Sequence, residues 1–246
     1  MLLNCDLGES FGSWRMGMDV AVMPHIDLAN VACGFHAGDP VTMSQTITLA
    51  QEHGVRIGAH PAYPDLVGFG RRSMQLSGDE LRSSVLYQIA ALDGMAASAG
   101  TSIEYVKPHG ALYNDMMANT AIRDTLMATV ASYHRPLKLM LLATSEQARH
   151  REAAAEHSLE LLFEAFADRC YDDAGHLLSR RLPGAVHSRE RMLEQVAYLL
   201  ETGCVTTDSG KRLSLDADTL CVHGDNLEGI AAIREIRALV DQRAVS

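Results

Sequence analysis

The chain has 246 residues, 47% of them hydrophobic and 21% charged, with a formal net charge of -10 and a pI near 5.5. That length and balance suit one large barrel-sized domain or two small ones with a sizeable core, and they exclude a disordered or fibrous chain. An acidic chain without a stripe of clustered Lys and Arg is also excluded as a nucleic-acid binder, because duplex and single strand alike are held through phosphate-neutralising cations.

Short apolar runs alternate with longer amphipathic ones along the whole sequence, the pattern that builds parallel sheets from strand–helix–strand units. Strands are expected at residues 2–5, 29–33, 56–59, 103–106, 137–142, 159–163 and 219–222, about seven in all. The first of them opens "MLLNCDLGES", which meets an acid at residue 6 and has neither a basic nor a long apolar region, so no ordinary signal peptide is expected. Between the strands, helix starts are marked. Asp39-Pro40 is an N-cap followed by proline where its missing N–H costs nothing, and Ser77 with Glu80 reads as a capping box. The segment "SRERMLEQVAYLLETG" opens on Ser188 and stops at Gly203, with Met192, Val196, Leu199 and Leu200 on one core-facing side. No Pro/Gly/Ser-rich linker breaks the chain, so a single domain over residues 1–246 is expected. No run of 18 apolar residues suggests a membrane span. The five cysteines, Cys5, Cys33, Cys170, Cys204 and Cys221, are scattered without a C-x-x-C pair, which fits reduced thiols in a cytoplasmic protein.

The chemistry gathers where the strands end. In order, the strands are followed by Asp6 with Glu9, His36 with Asp39, His60 with Asp65, Lys107 with His109, Thr144 with Ser145, Glu164 with Asp168 and Arg169, and His223 with Asp225. A closed parallel barrel places all these positions on one face, at the C-terminal ends of its strands, where active sites of such barrels are built. Taken singly, a loop His or Asp is more often a cap or a turn residue, and Asp39 and Asp225 both read as helix N-caps. Repetition is what distinguishes this rim, since caps alone do not require four histidines, a lysine and several carboxylates. Glycines and prolines flank the histidines, and the loop "PDLVGFGRRS" carries Arg71 and Arg72, a pair suited to clamping a carboxylate or phosphate.

Imidazoles, carboxylates and an ammonium on one rim suit general acid/base hydrolysis of a carbonyl compound. An Asp with two His would also hold a divalent metal that acidifies a bound water, although neither H-E-x-x-H nor a Cys set is present. G-x-G-x-x-G and the P-loop are absent, and "SGKRL" lacks the P-loop's first glycine and its Ser/Thr. Any nucleotide must therefore be bound in another way or by another subunit.

The stretches "NCDLGESFGSWRMG", "ANVACGFHAGDP", "IGAHPAYPDLVGFGRR", "VKPHGALYN", "EAFADRCY" and "TLCVHGDN" occur in order over nearly the whole chain and resemble the LamB/YcsF family, the A subunits of 5-oxoprolinase. The resemblance implies a TIM-like seven-stranded (β/α) barrel related to the glycoside hydrolase and deacetylase barrels. It also implies ATP-dependent opening of 5-oxo-L-proline to L-glutamate together with partner subunits B and C, with ATP and its Mg as cofactor. Leu28 and Ala62 depart from the family's usual small or polar residues, and neither departure removes a titratable group. Position and chemistry within the matching motifs nominate Asp6, His60, His109 and Glu164 as acid/base candidates and Lys107 as stabiliser of a developing oxyanion or phosphate. Glu9, His36, Arg71, Arg72, Asn114, Arg169, His223 and Asp225 are nominated for substrate binding. Two other readings stand beside this one: a stand-alone metal-dependent amidohydrolase or deacetylase, and a non-catalytic subunit that presents 5-oxoproline to an enzyme elsewhere.

Overall fold

The computed structural model describes residues 1–223 and 227–244. Its sheet strands are β1 (Leu2–Leu7), β2 (Leu28–Ala32), β3 (Arg56–His60), β4 (Ile103–Val106), β5 (Lys138–Leu142) and β6 (Leu161–Phe166), with β9 (Thr219–Cys221) completing the set. All pair in parallel, and β9 lies between β6 and β1, so the seven close into a barrel. The remaining two strands, β7 (Cys204–Thr206) and β8 (Arg212–Ser214), form a separate antiparallel pair within the long connection from β6 to β9.

Helices cover the outside: α1 (Asp19–Val22), α2 (Pro40–Glu52), α3 (Gly78–Ser98), α4 (Gly110–Ala118), α5 (Thr120–Ala131), α6 (Gln147–Ala155), α7 (Arg189–Thr202) and α8 (Leu227–Ala244). Their starts are chemically specified. Asp39 accepts from the N–H groups of Val41 (2.9 Å) and Thr42 (3.2 Å) ahead of Pro40. Ser77 and Glu80 satisfy each other's backbone N–H at 3.3 and 2.8 Å, the reciprocal box expected from the sequence. Gly203 ends α7 in the left-handed region at φ +68°, where a side chain would be strained. On α3 the buried residues Leu81, Val85, Ile89, Leu92 and Ala96 recur every three or four positions and pack against the barrel. Among the described residues no helix is long and apolar enough to cross a membrane.

Two strands run further than their apolar stretches. β1 continues through Asp6 to Leu7, and β6 continues through Glu164 to Phe166. The reason is that the barrel interior is apolar at one end only. Towards the strand starts it is plugged by Leu2, Leu28, Tyr105, Met140 and Leu162. Above the plug, the Tyr105 hydroxyl donates to Asn30 Oδ1 (2.7 Å), Asn30 Nδ2 donates to Asn4 Oδ1 (2.9 Å), and Asn4 Nδ2 donates to Thr219 Oγ1 (3.0 Å). These cross-barrel bonds satisfy polar groups that no water reaches. The charged Asp6 and Glu164 stand above that belt, inside the strands rather than beyond them.

Gly58 of β3 shows how tightly the interior is filled, because a Cβ there would lie 2.2 Å from the ring of Tyr105. The ring occupies the space that a side chain from β3 would need. Gly58→Ala should therefore overpack the interior and lower stability by about 1–3 kcal/mol, measured by urea unfolding. An unchanged midpoint would show that the ring can move aside.

Candidate active site

A cavity of about 750 Å³ opens at the C-terminal ends of the strands. Its floor carries Asp6, His60, Lys107, His109 and His223. One wall comes from Phe69 and Arg71 of the loop after β3, a second from Tyr113, Asn114 and Met117 of α4, and a third from Leu177, Arg180 and Arg181 of the coil after β6. Lys107 and His109, two residues apart across Pro108, open into the same cavity as Asp6 and His60.

Lys107 is the electrostatic centre. It leaves the end of β4 and reaches across the barrel, its Nζ lying 3.0 Å from Asp6 Oδ1, 2.9 Å from Glu164 Oε2, 3.2 Å from Asn4 Oδ1 and 3.3 Å from Cys221 Sγ. Burial opposes a charge here, but the Asp6, Cys221 and Glu164 groups around it hold the ammonium well above the usual lysine range. Asp6 mirrors this. Burial disfavours its ionisation, yet His60 and Lys107 hold the carboxyl well below the usual range, and Asn30 Nδ2 donates to its Oδ1 at 2.8 Å. The result is a buried cation between two carboxylates, so that loss of the cation would leave both carboxylates buried without their partner.

Beside it stands a set of histidines from consecutive strand ends. His60 Nδ1 lies 2.7 Å from the Lys107 carbonyl and His109 Nε2 lies 2.9 Å from the Phe69 carbonyl. His60 Nε2 is then 3.0 Å from His109 Nδ1 and 3.3 Å from Asp6 Oδ2. His36 stacks on His109 with ring centroids 3.8 Å apart and 5° between planes, and its Nε2 is 3.2 Å from Glu9 Oε1, which is itself 3.6 Å from His109 Nδ1. Burial and the neighbouring imidazoles push His36 and His109 well below the usual histidine range, while burial pushes Glu9 up. Gly70, at φ +63°, lets the loop after β3 close over this set: a Cβ there would sit 2.9 Å from both His109 Cδ2 and His36 Cβ.

On the other side of Asp6, His223 Nδ1 pairs with Asp168 at 2.9 Å and its Nε2 lies 3.8 Å from Asp6 Oδ2 and 3.1 Å from Arg180 Nη2. Burial and Arg180 work against charging this ring, but Asp168 outweighs them and raises its pKa. A histidine raised by its partner loses that pairing energy as pH climbs through the folded-state pKa and keeps it below the unfolded value near 6.5. Asp168→Asn should accordingly move the His223 titration midpoint, followed by its Cε1 proton resonance, down by about one pH unit or more.

The other nominated residues divide. Arg71 faces the cavity over the Phe69 ring at 4.9 Å and Asn114 lines the wall. Arg72 turns outward to form a bidentate pair with Asp65 and does not line the cavity. Glu164 is fully buried beneath Lys107 and does not reach the cavity either, so the sequence-based acid/base role gives way to that of a counter-charge. Arg169 reaches the wall, but its guanidinium is taken up by the carbonyls of Ala185 and Leu178, which fastens the coil after β6 over the site. Asp225 lies outside the described residues. Asp168, placed on the rim by the sequence though given no role there, joins the network with Asn4, Asn30, Tyr105 and Arg180, which the sequence does not single out. For Asn4 and Asn30 a signal existed, since "LNCDL" and "LANVA" place a polar side chain at alternate strand positions that face the interior.

Known proteins resemble this chain over its whole length. The model of the LamB/YcsF family matches residues 1–246. The second 5-oxoprolinase A subunit of Pseudomonas putida is 57% identical over 242 residues, covering 98% of this chain and 94% of that protein. The 5-oxoprolinase A subunit of Pseudomonas fluorescens is 53% identical over 245 residues, covering 99% of this chain and 98% of that protein. A solved structure, the lactam utilization protein of Thermus thermophilus, superposes with a TM-score of 0.90 at 36% identity and covers 99% of this chain and 97% of its own.

Proposed function

The chain belongs to the LamB/YcsF family, and from that premise we propose that it is the A subunit of an ATP-dependent 5-oxoprolinase, opening 5-oxo-L-proline to L-glutamate with partner subunits B and C. The observation that carries the reading is the buried Lys107–Asp6 pair, 3.0 Å apart, on the floor of a cavity whose walls hold Arg71, Arg180 and Arg181. A lactam that also bears a carboxylate needs both features. Its carboxylate is attracted to the guanidinium walls, and its carbonyl oxygen, gaining charge as the ring carbon is attacked, is stabilised by an ammonium already fixed in place. Asp6 Oδ2, with His60 Nε2 at 3.3 Å, is the base that takes a proton from attacking water, and a floor histidine returns one to the departing ring nitrogen. A five-membered lactam has little hydrolytic driving force, so coupling to MgATP supports the direction of the reaction. The sequence has no P-loop, and the phosphate chemistry is accordingly shared with a partner.

The test is glutamate release from 5-oxoproline and ATP, first with this chain alone and then with subunits B and C added. Turnover is expected only in the assembled system, and His109→Ala, which removes an imidazole from the cavity floor, is expected to reduce it by about 10²-fold or more. Unchanged turnover in both Lys107→Ala and His109→Ala would rule out this cavity as the reaction site. Weaker 5-oxoproline binding with full turnover at saturating substrate would instead identify a subunit that only presents the ligand.

A further inference from the structure

The histidines beside Lys107 contain a contradiction that protein atoms alone do not resolve. A carbonyl oxygen can only accept, so His60 Nδ1 and His109 Nε2, at 2.7 and 2.9 Å from the Lys107 and Phe69 carbonyls, must both carry hydrogen. Neutral imidazole has one N–H. The nitrogens left over, His60 Nε2 and His109 Nδ1, then present bare lone pairs to each other at 3.0 Å, with the carboxylates of Asp6 and Glu9 at 3.3 and 3.6 Å. Four electron-rich atoms face one small volume, and a cation belongs among them.

We propose that His60 Nε2, His109 Nδ1 and a Glu9 carboxylate oxygen bind one divalent transition-metal ion. Two imidazoles and a carboxylate with the cavity on their open side form a donor set suited to zinc or iron(II), in which the free position is left for water or substrate. With bonds of about 2.0–2.1 Å, neighbouring ligand atoms on a tetrahedral ion are about 3.4 Å apart. The observed 3.0 and 3.6 Å separations bracket that value. The carbonyl bonds behind His60 and His109 fix the tautomers that ligation requires.

His36 belongs to the same cluster, whose four candidate ligand atoms lie within 4.8 Å of one another, but its role differs. Its ring is parallel to that of His109 at 3.8 Å, so the in-plane lone pairs of the two rings cannot meet at one ion. Its Nε2, 3.2 Å from Glu9 Oε1, instead donates to the carboxylate and aims it, which makes His36 a positioning residue. When bound, such an ion polarises a carbonyl oxygen or acidifies a water, the chemistry that lactam opening calls for. Only that use rests on the proposed function; the binding does not.

The experiment uses the isolated full-length chain, stripped with a chelator and titrated with Co²⁺, read by visible d–d absorption and by metal content. One equivalent per chain is expected. His60→Gln and His109→Gln, shown to be folded by circular dichroism, should abolish the band. His36→Gln should weaken affinity by about 10–100-fold while keeping the band, as loss of a group that only orients a ligand does. Exposed His157→Gln should bind as the parent does. Sub-stoichiometric metal, or a band that survives both His60→Gln and His109→Gln, overturns the proposal and leaves a proton as the bridging cation. Because no turnover is measured, either result leaves the 5-oxoprolinase reading to its own assay.

Discussion

Lys107→Met should remove both the stability and the turnover that the floor of the cavity provides. The substitution nearly conserves the length of the side chain but leaves Asp6 and Glu164 facing each other without the ammonium that lies 3.0 and 2.9 Å from them. Breaking a buried charge set from one side costs about 3–5 kcal/mol, because the remaining carboxylates stay out of water without a partner. Urea unfolding of the isolated chain should show that loss. Glu164→Gln in the same background removes one uncompensated charge and should restore part of the stability. It should not restore turnover, which is expected to be lower by about 10²–10³-fold in both variants, since a fixed oxyanion partner acts on the substrate and not on the fold. Recovery of activity in the double variant would mean that Lys107 matters only as a structural cation.

Asp6→Asn makes the complementary prediction. The amide matches the carboxylate in shape, so the fold should persist, with Lys107 still held by Glu164 Oε2 and Asn4 Oδ1. Its nitrogen, however, cannot accept a proton, and it places N–H groups where His60 Nε2 stands at 3.3 Å and His223 Nε2 at 3.8 Å from the wild-type oxygen. Loss of a positioned base lowers turnover by about 10²–10⁴-fold. The effect should appear in kcat more than in KM if Asp6 acts in the chemical step, since ground-state contacts to the arginine walls remain. A change confined to KM would reassign Asp6 to binding.

The barrel was legible in the sequence because its outer faces obey simple rules. Apolar runs, the Asp39-Pro40 start, the Ser77/Glu80 box and Gly203 fall where they were expected. Strand ends were less legible, and for a single reason: polarity looked like the end of β1 and β6, whereas Asp6 and Glu164 are still inside strands and face Lys107 across the interior. A charge whose partner stands more than fifty positions away in the chain has no local signature. The same holds for Asp168 and His223, which meet only because β9 inserts between β6 and β1. Arg71 and Arg72 show the opposite limit, being adjacent in the chain yet divided, one lining the cavity and the other paired with Asp65. The antiparallel pair β7 and β8, three residues per strand, is too short for alternation to be recognised.

The apolar plug of Leu2, Leu28, Tyr105, Met140 and Leu162 has a bearing on traffic. It seals one end of the barrel, so the vestibule at the strand ends is both entrance and exit. Whatever binds on the floor must therefore come and go through one mouth, and anything seated across that mouth would hold it in place.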